Sequence, residues 1–190
     1  NTNVLWANWG FSVYDVASAE QQYWHTYYYL EQALTTQHPK ILLLDAKAAT
    51  YPDDTTRRGR TILSTSGILN PIRRANAIAA GGQQPLDLSL IHICTLRKMA
   101  EERGIPLLNF NNPKGRFGIR YSSDFADWQH LNVKGSIKLS LRIGEYLEEN
   151  YDLTDHRGDP QYDSWQRCLE EWQAAYPEMA NMIRNETEEK

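Results

Sequence analysis

Gln37-His38-Pro39-Lys40-Ile41-Leu42-Leu43-Leu44-Asp45 carries the strongest strand signal in the chain. Proline disfavours helical geometry in the residue before it, so a preceding helix must end ahead of His38-Pro39. The short unbroken apolar run that follows suits a parallel strand covered on both faces. Asp45 would then emerge at the carboxyl edge of a sheet, where ligands of open α/β folds bind. Upstream, Phe11-Ser12-Val13-Tyr14-Asp15-Val16 has the β-branched and aromatic content of a strand, and Tyr23, Tyr27, Leu30 and Leu34 recur at helical spacing. Downstream, Asn70-Pro71 caps a helix over 72–80 closed by Gly81-Gly82, and a helix over 88–103 ends at Gly104. Ile105-Pro106-Leu107-Leu108-Asn109-Phe110 reads as a third apolar strand with its proline at the start.

Asn132 can cap a further helix, in which Ile137, Leu141, Gly144 and Leu147 form a buried stripe while Lys138, Arg142, Glu145 and Glu148 face water. Trp165, Cys168, Leu169 and Trp172 lie on one side of another. Strands alternating with helices are the grammar of a parallel sheet between helical layers. The expected fold is therefore α/β, with one domain over 1–176 and an acidic C-terminal tail over 177–190. Self-contained open sheets usually hold about four to six strands, so with three either one strand is hidden in an atypical sequence or the sheet is incomplete.

A hydrophobic share of 41% and a charged share of 23% are those of a globular chain rather than a disordered one. A net charge of -4, with no basic stripe, argues against nucleic acid as a partner. No apolar run approaches the roughly 20 residues that cross a bilayer. Residues 1–9 lack the basic start and apolar middle of a signal peptide, so the chain as it stands is expected to be soluble. Cys94 and Cys168 have no metal-ligand spacing, and neither a metal nor a cofactor is expected. The supply of 11 Tyr and 6 Trp could line a carbohydrate site or pad a core. The arginines at 57, 58 and 60 could grip an anion, or belong to a solvated loop.

Chemistry concentrates at Asp127-Trp128-Gln129-His130, just ahead of the helix that Asn132 caps. A carboxylate one loop turn before an imidazole can accept its Nδ1 proton and fix the tautomer, leaving Nε2 to take a proton from a nucleophile. The same spacing also occurs as an ordinary surface or capping pair. The wider block from Asp124 to Lys138, Asp-Phe-Ala-Asp-Trp-Gln-His-Leu-Asn-Val-Lys-Gly-Ser-Ile-Lys, resembles the last block of the SGNH/GDSL hydrolases, particularly cell-envelope members. Residues 20–45 resemble the second-strand region of that family, and residues from Tyr146 to Trp165 its C-terminal extension.

The resemblance implies a flavodoxin-like three-layer α/β/α sandwich, an extracellular or envelope location, and an acylated carbohydrate or small ester as substrate. It also implies that Asp127 and His130 are the acid and base of a Ser-His-Asp triad. The family's Gly-x-Ser block, which carries the nucleophile, finds no match, and neither does its middle block between Tyr51 and Ile105. Ser18, after a strand-like run and before a helix, is the best internal candidate, although the glycine that lets amides approach an oxyanion is absent from Asp15-Val16-Ala17-Ser18. Leu88-Ser89-Leu90-Ile91-His92-Ile93 resembles translated sequencing-adaptor sequence. It reads either as part of a chimeric join over Pro85 to Thr95 or as an amphipathic segment with a core His92.

Two readings follow. One is a serine ester hydrolase or O-acyl transferase; the other is an inactive remnant or glycan-binding module of the same fold. A nucleotide or flavin binder shares that architecture but requires a glycine-rich phosphate loop, and none is present. His25, His38 and His156 carry no ligand role.

Overall fold

The computed structural model describes residues 1–17, 21, 23–45, 64–83, 93–102, 104–108, 118–127 and 130–188. Its helices are α1 (Thr2–Trp9), α2 (Tyr23–Ala33), α3 (Pro71–Gln83), α4 (Ile93–Glu102), α5 (Tyr121–Asp124), α6 (Val133–Asn150), α7 (Asp163–Ala175) and α8 (Pro177–Glu188). The chain divides into two compact units, Asn1–Asp15 with Leu108–Lys190, and Val16–Leu107.

The expected flavodoxin-like α/β/α sandwich is overturned, because among the described residues there is no β-strand and hence no parallel sheet. The β-bridge found among them is an isolated antiparallel one between Phe125 and Leu131. A run of β-forming residues becomes a strand only when a neighbour satisfies its backbone and its side chains find a pleated surface to pack on. Residues 11–16 instead meet helices: Phe11 stacks on Trp9 with centroids 6.1 Å apart, and Tyr14 meets Trp165 edge-on at 5.5 Å. Leu42, Leu43 and Leu44 are all exposed rather than sandwiched, as is Ile105. The end of the third expected strand, 109–110, lies outside the described residues, as does most of the 51–67 loop.

In the first unit, α1 packs on α6 and α7, and α8 closes on both. Val4, Ile137, Leu141 and Ile183 form the core, with Trp9 and Trp172 against it. Trp6 is fully buried, stacked between Tyr162 at 6.3 Å and Trp165 at 5.9 Å, and its indole N–H donates to Gln166 Oε1 at 3.2 Å. Burying an aromatic ring while its polar atom keeps a partner is what makes such a contact favourable. Gly144 lets α1 come this close to α6, since a Cβ there would collide with the Trp9 ring. The acidic stretch at the C-terminus is helical through Glu188, and its Ile183 is buried. Pro177 at the first helical position suits this start, and Met179 and Ile183 share a face four residues apart.

In the second unit, α2 packs on α3, and the 3-10 turn Ser64–Gly67 packs on α3 as well. Asn70 Oδ1 accepts from the Ile72 and Arg73 N–H groups, so the expected cap of α3 is present, but the helix continues through Gly81-Gly82 to Gln83. α2 ends before His38-Pro39. His25, Thr65, Ile68 and Ala77 are buried in this unit, with His25 against Tyr29 at a centroid distance of 4.6 Å. Burial disfavours the charged ring and lowers the His25 pKa to about 4.

No helix among the described residues is long and apolar enough to cross a membrane.

Candidate active site

The loop that carries Asp127 and His130 is closed at its base. Phe125 and Leu131 form the antiparallel bridge, the Ala126 N–H donates to the His130 carbonyl at 2.8 Å, and the Asn132 N–H donates to the Asp124 carbonyl at 3.0 Å. Asn132 joins this closure to α6. Its Oδ1 accepts the Gly135 N–H at 2.9 Å, as an N-cap does, while its Nδ2 donates to the Ser123 carbonyl at 2.8 Å. One side chain therefore starts the helix and holds the segment ahead of the loop. Gly135 is required here, because a Cβ would run into the Asp124 backbone carbonyl.

Within the loop, the Asp127 carboxylate contacts His130 twice. Oδ1 accepts the His130 backbone N–H at 2.8 Å, and Oδ2 lies 2.7 Å from the ring Nδ1. An ionised carboxylate can only accept, so the proton of this second contact belongs to Nδ1. In the neutral ring that leaves Nε2 with a lone pair, which is the state a general base needs. Both side chains are open to solvent, 65% for His130 and 48% for Asp127. Exposed ion pairs contribute only about 0–1 kcal/mol to stability, so the ion pair itself adds little to folding. Among the described residues no side-chain hydroxyl hydrogen-bonds to the His130 ring. Ser18 lies outside the described residues, as do Trp128, Gln129, His92 and the arginines at 57, 58 and 60.

Asp124 is the residue that sequence reading passed over. Its side chain is fully buried and accepts from the Arg120 N–H at 2.7 Å, the Ser123 hydroxyl at 3.0 Å and Lys138 Nζ at 3.2 Å. Burial alone would push this carboxyl up, but the Arg120 N–H, the Lys138 ammonium and the Ser123 hydroxyl outweigh it and hold the pKa below the ordinary carboxylate value. Lys138, expected to face water, is turned in toward this carboxylate with only 20% of its side chain exposed. The buried stripe of α6 otherwise follows its period, through Ile137, Leu141, Gly144 and Leu147. No local spacing could reveal a pair 14 residues apart.

A pocket of about 540 Å³ opens elsewhere in the first unit, where the ends of α1 and α6 meet the 151–157 segment. Trp9, Phe11, Tyr151, Glu148, Asp155 and Arg157 contribute to its wall, whereas Asp127 and His130 do not. Several of these groups are held in place: Trp9 Nε1 donates to Glu148 at 2.8 Å, and Arg157 pairs with Asp155 and donates to the Ala7 carbonyl at 3.0 Å. The segment 155–157 thus ties down the end of α1. Among the described residues no three His, Cys, Asp or Glu side chains gather as a metal-holding group.

No family model, curated protein or solved structure matches the chain.

Proposed function

We propose that Asp127 and His130 are the acid and base of a serine acyl-transfer site, an ester hydrolase or O-acyl transferase working on acylated carbohydrate. The observation that supports this reading best is the double contact of one carboxylate with both the backbone and the Nδ1 of His130. It offers an acceptor for an Nδ1 proton on a ring whose side chain is 65% exposed. The likeness of residues 124–138 to the last block of SGNH/GDSL hydrolases points the same way and carries with it an extracellular or envelope location. The reading rests on the pair and its sequence context, not on a sheet architecture.

In this scheme His130 Nε2 takes the hydroxyl proton of a serine as its oxygen attacks the ester carbonyl. Asp127 stabilises the imidazolium. The proton passes to the departing alcohol, leaving an acyl-serine. Water or a sugar hydroxyl then attacks the acyl group, giving its proton to Nε2, and the serine recovers that proton as it leaves.

The test is hydrolysis of an aryl acetate, with labelling by a fluorophosphonate probe and mapping of the labelled serine. His130→Ala should lower turnover by about 10²–10⁴-fold, the usual worth of a placed general base. Unchanged turnover in that variant removes the mechanism.

The aromatic and carboxylate-lined pocket favours a second reading, a glycan-binding module without turnover. Aromatic faces stack on sugar C–H surfaces while carboxylates and Arg157 engage hydroxyls. Oligosaccharide binding abolished by Trp9→Ala, without acyl release or probe labelling, supports it over the first.

A further inference from the structure

We infer that Asp124 and Lys138 are positioning residues for the Asp127–His130 pair, an inference that rests on the catalytic reading of that pair. The loop bearing the pair has two ends, and both are held through Asp124. Its side chain gathers the Arg120 N–H, the Ser123 hydroxyl and the Lys138 ammonium, fixing the incoming segment to α6. Its backbone carbonyl accepts the Asn132 N–H, fixing the outgoing segment at the helix start. Between these two anchors, the described residues add the Phe125–Leu131 bridge and the Ala126 N–H to His130 carbonyl bond.

The contrast in exposure sets the roles. His130 and Asp127 are open to solvent and cannot be kept in register by packing, whereas Asp124 is fully buried. A buried carboxylate with three donors stays put because no other arrangement satisfies it, and losing one donor is costly. The loop inherits its geometry from that anchor. Lys138 is the one cation of the cluster and comes from the second turn of α6, so it couples loop position to the helix rather than to solvent.

The experiment compares wild type with Lys138→Met, Lys138→Arg, Ser123→Ala and Arg142→Met by two readouts. One is the nitrogen-15 signature of the His130 ring, which reports the tautomer. The other is hydrogen exchange of the His130 amide, which donates to Asp127. Lys138→Met should dissolve the Nδ1–H preference and speed exchange of that amide by about tenfold, the effect of losing a charged hydrogen bond at the anchor. Lys138→Arg should restore both. Ser123→Ala, a milder loss from the same carboxylate, should move both readouts part of the way and keeps the test decisive if Lys138→Met does not fold. Arg142 pairs with Glu145 on the same helix, so its loss should leave His130 unchanged. If wild type shows no Nδ1–H preference, the reading of the pair fails. If wild type shows it, but Lys138→Met or Ser123→Ala leaves it intact, the positioning role is overturned.

Discussion

Acidification should loosen the second unit through His25. The ring is fully buried beside Tyr29, and burial lowers its pKa to about 4 from an ordinary value near 6.5. Folded His25 is therefore neutral across a window where the unfolded chain takes up a proton. The stability that depends on the neutral ring is complete above about pH 6.5 and is lost as the pH falls toward 4. Below that value both states are protonated and the loss stops. A difference of roughly 2.5 pH units at about 1.4 kcal/mol each gives a loss of about 3 kcal/mol, at the upper end for one histidine. Other carboxylates titrate nearby, so the control is His25→Phe, which keeps an aromatic ring against Tyr29 and removes the titration. Hydrogen exchange should show protection of α2 amides falling between pH 7 and 4.5, once intrinsic exchange rates are corrected, and falling about 2 kcal/mol less in His25→Phe over that range, the rest of the loss coming below pH 4.5. Equal pH dependence in the two proteins, or a His25 ring that titrates near 6.5 in the folded state, would refute the reasoning.

Three further substitutions probe the first unit. Ile183→Ala should cost about 2–5 kcal/mol in denaturant unfolding, because it removes a side chain from the core formed with Val4, Ile137 and Leu141; a change below about 0.5 kcal/mol would show that α8 does not pack there. Gly144→Ala should destabilise by about 1–3 kcal/mol despite alanine's better helix propensity, since its Cβ meets the Trp9 ring, and a raised melting temperature contradicts that close approach. Asn132→Ala removes the cap and the bond to the Ser123 carbonyl, and should cost about 1–2 kcal/mol by thermal unfolding.

The parts of the fold legible from sequence were those whose cause is local. α6 is marked by the 3.6-residue stripe from Ile137 to Leu147 and by the oxygen of Asn132, both visible without tertiary knowledge. The Asp127–His130 contact lies within one loop, so its spacing was readable too. Phe11-to-Val16 and Ile41-to-Leu44 satisfy a strand pattern, yet among the described residues no strand pairs with them, and pairing is not a local property. α1 carries little helical signal because only Leu5 and Ala7 of its eight residues are strong helix formers; the Asn1 side chain and Gly10 at its two ends are the available clues. Lys138 was misassigned to solvent because its partner, Asp124, belongs to another element.

The proposed site depends on Asp127 holding the proton of His130 on Nδ1 and leaving Nε2 bare. Nitrogen-15 correlation spectra of the ring, recorded where the imidazole is neutral, decide this. Wild type should show a protonated Nδ1 and an unprotonated Nε2, with the preference lost in Asp127→Ala. A neutral ring protonated chiefly on Nε2, and unchanged by that substitution, would contradict it.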